Sequence, residues 1–108
     1  MQATAEAGME TVRAELAARI AVLDVKAPYL DADDLAPDID AIRALAHRNG
    51  LNPAVTVAHF LHTALARGKG GALVHGWLAM LTDAVESERQ DVAACDAFAA
   101  ACSVRLAS

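Results

Sequence analysis

Asn52-Pro53 opens the stretch that decides the fold. It is followed by the uncharged run Ala54–Ala66 (AVTVAHFLHTALA), then Arg67 and the breaker Gly68-Lys69-Gly70-Gly71. A second uncharged run, Ala72–Thr82 (ALVHGWLAMLT), ends at Asp83. Asn52 reads as an N-cap. Pro53 suits the first helical position, where its missing N–H has no helical partner to lose. The glycines tolerate the positive φ that ends a helix. The stretch therefore predicts two antiparallel helices, Asn52 to Glu86, each apolar over most of its circumference. Such helices belong in an interior. Each arm has roughly a dozen uncharged residues against the ~20 that a spanning helix needs, and each carries histidine, so a membrane hairpin is not expected.

Working outward, the N-terminal side predicts a helix from about Thr4 to Leu23, with Met9, Val12, Leu16, Ile20 and Leu23 at intervals of three and four. Glu6, Glu10, Arg13, Glu15 and Arg19 fall largely off that stripe, and Glu15 to Arg19 is a favourable i,i+4 pair. The arginines read as solvated. Asp24 to Pro37 reads as a connection, with Tyr29 and Leu30 anchoring it on the bundle. Its Asp31, Asp33 and Asp34, with Asp38 and Asp40, miss the EF-hand pattern, because Ala36 and Ile42 stand where glycine and glutamate are required. They read instead as complements to the N-terminus of a second helix, Asp38 to Arg48, which buries Ile39, Ile42, Leu45 and Ala46. On the C-terminal side Ser87 and Gln90 have the spacing of a capping box. The final helix then carries the stripe Val92, Cys95, Phe98, Ala99, Cys102 and Leu106. No segment alternates with period two, so the expected fold is an all-α bundle of four to five helices around a central apolar helical hairpin. It spans 1–108 as a single domain.

Composition narrows the function. The chain has 108 residues, 56% of them hydrophobic and 4% aromatic, with a net charge of −5. That charge disfavours non-specific nucleic-acid or anionic-membrane binding, and the few aromatics give little for bases to stack on. Arginine outnumbers lysine amid abundant alanine, a bias typical of GC-rich bacterial genomes. Met1–Glu6 lacks the basic and apolar segments of a signal peptide, so a cytoplasmic location is expected, with Cys95 and Cys102 as thiols. They lie seven apart, about 10 Å along one helix face, and cannot bridge each other.

Three motifs compete for a functional reading. Ala44-Leu45-Ala46-His47 followed by Gly50-Leu51-Asn52-Pro53-Ala54 resembles the turn of helix-turn-helix repressors of the lac-repressor type, which typically read Gly-Val-Ser-Pro-Ala. The resemblance covers about a dozen residues and slips by one after Pro53. It implies DNA reading by the helix that follows, whose outer face would be Val55, Thr56, His59, His62 and Thr63, with no arginine before Arg67. His59 and His62, with His75 brought alongside by the hairpin, have the minimum number of imidazoles for a metal site. They lack the i,i+4 pair or Glu-x-x-His unit usual in helices. A histidine-phosphotransfer module would want His-x-x-Lys-Gly, and after His62 the first base is Arg67. No nucleophile motif or phosphate loop is present, and neither a reaction nor a cofactor is expected. The leading expectation is a non-enzymatic interaction or regulatory protein, paired as a homodimer or bound to another protein. The apolar hairpin would present His59, His62, His75, Trp77 and Met80 at an interface or pocket. The alternatives are a helix-turn-helix regulator and a small-molecule or metal site at the histidines.

Overall fold

The computed structural model describes residues 2–68 and 73–107, with side chains from Gly8 onward. The fold is an all-α bundle: α1 (Gln2–Lys26), a 3-10 turn (Ala27–Tyr29), α2 (Ala32–Arg48), α3 (Asn52–Ala66), α4 (Leu73–Glu86) and α5 (Val92–Ala107). No strand occurs among the described residues, and no helix among them is long and apolar enough to cross a membrane.

The first two helices are longer than their sequence suggests. In α1, Leu16, Ile20 and Leu23 are buried as expected, and the helix continues to Lys26. The connection shrinks to the 3-10 turn and its flanks. Ala27 is buried and Leu30 half-buried, but Tyr29 is 86% exposed and anchors nothing. Helix α2 begins at Ala32, six residues before the expected start, and runs through Pro37. Proline costs one backbone hydrogen bond there. That loss is offset because Leu35 extends the buried stripe of Ile39, Ile42 and Ala46 into the first turns. The Asp31 carboxylate caps this start, accepting from the Asp34 N–H at 3.0 Å, and Asp33 and Asp34 complement the helix dipole. Asp38 and Asp40, farther along, face Lys26 at 3.5 Å and Arg43 at 3.9 Å.

The α2–α3 turn has a complete physical explanation. Gly50 sits at φ +70°, its N–H bonds to His47 O at 3.2 Å, and the Leu51 N–H bonds to Ala46 O at 3.0 Å. This is a Schellman motif, and its usual apolar accompaniment is present in the fully buried Leu51 and Ala46. Helix α3 then starts at Asn52 with Leu51 in the cap position, so Asn52 is not the cap. Its side-chain amide instead donates to Gln90 O at 3.1 Å. At the far end Gly68 takes φ +80°, as expected of the breaker; Lys69 to Gly71 lie outside the described residues. Helix α5 is capped by Asp91, whose Oδ1 accepts from the Ala94 N–H at 2.9 Å. Ser87 and Gln90 do not form the expected capping box. Gln90 Nε2 donates to Ser87 O at 2.8 Å within the loop.

Helices α1 to α4 close a ring in which α1 and α3 each border both α2 and α4, and α5 lies outside it against α3. Two contacts set α4 antiparallel to α1. Near one end His75 Nδ1 lies 2.7 Å from Asp24 Oδ1, and near the other Arg13 reaches the end of α4. Arg13 is no solvated arginine: Nε donates to Val85 O in the last turn of α4 and Nη2 to Ser87 O just beyond it, both at 3.2 Å. The hairpin forms the core as expected. Val57, Leu61, Ala64, Leu65, Val74, Trp77, Leu78 and Leu81 are all buried. Helix α5 is a thinner cover than its stripe implies. Cys102 alone among its described residues is fully buried, and Val92 is exposed.

Candidate functional site on the outer face of α1

The structure sends the three histidines in different directions. His59 is exposed and edge-on to Phe60, their ring centroids 5.9 Å apart. His62 lines a shallow pocket of about 200 Å³ with Asp33, Leu65 and neighbouring alanines. His75 points away from both, toward Asp24 on α1. Among the described residues no group of three His, Cys, Asp or Glu side chains could hold a metal ion, so the expected His59–His62–His75 cluster does not assemble. The reason is packing. The α4 flank carrying His75 is drawn to α1, whereas His62 borders the start of α2.

Trp77, expected at an interface or pocket, is a core residue at 2% exposure, with the Arg105 guanidinium 5.9 Å from its ring centroid. Met80 is half-buried, its Sδ 3.3 Å from the Cys102 thiol. Burial pushes that thiol up to about 11, against a smaller opposing pull from Arg105. Both cysteines are free, and Cys95 is half-buried. Helix α3 touches α2, α4 and α5. Of its supposed reading face, Val55, Thr56 and Thr63 are half-buried and only His59 and His62 are open.

The unexplained surface lies on α1. Its inner stripe of Leu16, Ile20 and Leu23 faces the core. Opposite, at intervals of three and four, stand Ala14, Ala17, Ala18, Ala21, Val22 and Val25, all exposed. The charged residues of this segment occupy the two flanks. On the α4 side Arg13 and Asp24 are engaged as described. On the α2 side Glu15, Arg19 and Lys26, with Asp38 of α2, rim a groove of about 410 Å³ floored by Ala18, Val22, Leu23 and Ile42. Val25 is 73% exposed and Val22 54%. The sequence does hold a signal for this face: alanine or valine recurring on the side opposite the Leu16–Leu23 stripe. Alanine is easily read as helix propensity alone.

No family model, curated protein or solved structure matches this chain.

Proposed function

We propose that this is a non-enzymatic interaction protein that acts as a homodimer. The observation that carries the reading is the uncharged outer face of α1, from Ala14 to Val25, on a helix whose inner face is already packed. An apolar surface rimmed by charge is the usual mark of an interaction site, and a two-fold pair is the commonest way a soluble protein covers one. The hairpin's Val57, Leu61, Val74, Trp77, Leu78 and Leu81 are buried within the chain, so the case for a partner rests on α1. Within this reading the protein works in a bacterial cytoplasm, where a reducing environment suits its two free thiols.

Light scattering across a dilution series tests the proposal. The expected mass is twice the 11.2 kDa of the chain at high concentration, falling toward one chain on dilution. A single-chain mass at every concentration, up to the solubility limit, overturns it.

A further inference from the structure

We infer that Met80 is a site of oxidation by hydroperoxides, and that its sulfoxide loosens α5 from α4 and opens Cys102 to solvent. Helix α5 is held by little. Cys102 is its one fully buried side chain among the described residues, and its main neighbour is α3. Side chains tie it to α4. The Cys102 thiol donates to the Met80 thioether, with the sulfurs 3.3 Å apart. The Arg105 guanidinium lies over Trp77, so close to Gly76 that a Cβ there would strike it.

The two sulfurs differ as reactants. A thiol attacks peroxide as its thiolate, and burial keeps the Cys102 thiol protonated by pushing it up to about 11. A thioether carries its lone pairs at every pH, and Met80 is only half-buried. Its Sδ attacks one peroxide oxygen and the O–O bond breaks. The departing hydroxide takes the proton of the transferred oxygen and leaves as water. Sulfur gives up two electrons and the peroxide accepts them. The product has a polar S–O group where a soft thioether filled the contact. That oxygen needs a good donor, and what faces it is one weak S–H. Parting α5 from α4 lets water supply the donor. A thiol-dependent sulfoxide reductase reverses the change.

The full chain treated with hydrogen peroxide tests this. Tandem mass spectrometry locates each added oxygen and each thiol alkylated by N-ethylmaleimide, and circular dichroism follows the helices. Oxygen is expected on Met80. Cys102 should then alkylate on the order of tenfold faster, the effect of a buried polar group without a partner. Met80→Leu, close in volume, should keep Cys102 shielded through the same treatment. Met80→Gln, polar without any oxidant, should unmask it. Met80 unmodified in a solution where free methionine is fully oxidised overturns the site. Oxygen on Cys102 in its place overturns the choice of reacting sulfur. A Met80 sulfoxide with Cys102 still shielded, or with the whole helical signal lost, overturns release of α5. Unmasking of Cys102 by peroxide in Met80→Leu overturns Met80 as its cause.

Discussion

The α3–α4 hairpin and helix α1 reverse the usual link between apolar sequence and apolar surface. The hairpin is almost uncharged over its two runs and is nonetheless covered, because α1, α2 and α5 lie against it on different sides. Helix α1 carries charge at regular intervals yet keeps an open uncharged face, because those charges sit on its flanks. What decides exposure is where charge falls around the helix, and how many neighbours the ring provides, more than how much charge there is. Helix α3 borders α2, α4 and α5, whereas α1 borders α2 and α4 and keeps an outer face that alanine and valine leave uncharged.

Trp77 carries the largest expected effect. Truncation to alanine removes the largest side chain of the sealed region, and is expected to cost about 3–5 kcal/mol in urea-induced unfolding. The proposed pairing should persist wherever the variant is folded; loss of pairing in a folded Trp77→Ala would mean that Trp77 supports the interface. Next is Arg13, which ties α1 to the end of α4. Arg13→Ala removes this donor from the Val85 carbonyl in a partly buried corner, while Ser87 O keeps Gln90 Nε2, and should destabilise by about 1 kcal/mol. A change no larger than that of a solvated arginine would deny the link.

Cys102 sharpens the view of α5 as a thin cover. Its thiol titrates near 11 when folded against about 9 when unfolded. Between those values the unfolded chain holds fewer protons, so the Cys102 contribution is constant below pH 9 and stability falls as pH rises toward 11. Cys102→Ala should remove that fall, and in the native protein a thiol reagent should reach Cys95 first. The smallest effect is predicted for the open face. Val25→Lys should shift unfolding by no more than about 0.5 kcal/mol, as for an ordinary surface change. A large loss would show that Val25 is packed within its own chain.

Much of this architecture is readable in the sequence where a pattern is local. The two uncharged runs, the glycine at 50 and the stripe on α1 each depend on residues within a few turns of one another. Boundaries were harder, for identifiable reasons. Pro37 looks like a stop until Leu35 is seen to pay for continuing, and Ser87 competes with Asp91 for one cap. The placement of the histidines depends on ring closure, which no local spacing reports. Asp24 and His75 are 51 residues apart, and no spacing rule links them. The outer face of α1 was present as letters but had no meaning until the inner face was known to be occupied.

The hold of Arg13 on Val85 joins the first and fourth helices across 72 residues of chain. During synthesis at ~5–20 residues per second, α1 therefore waits roughly 4 to 14 s before α4 arrives to complete its surroundings. Until then Leu16, Ile20 and Leu23 lack one of their two covering helices, while the alanine side is as open as it will be in the finished monomer. Until α4 arrives, α1 thus shows apolar surface on its inner as well as its outer side.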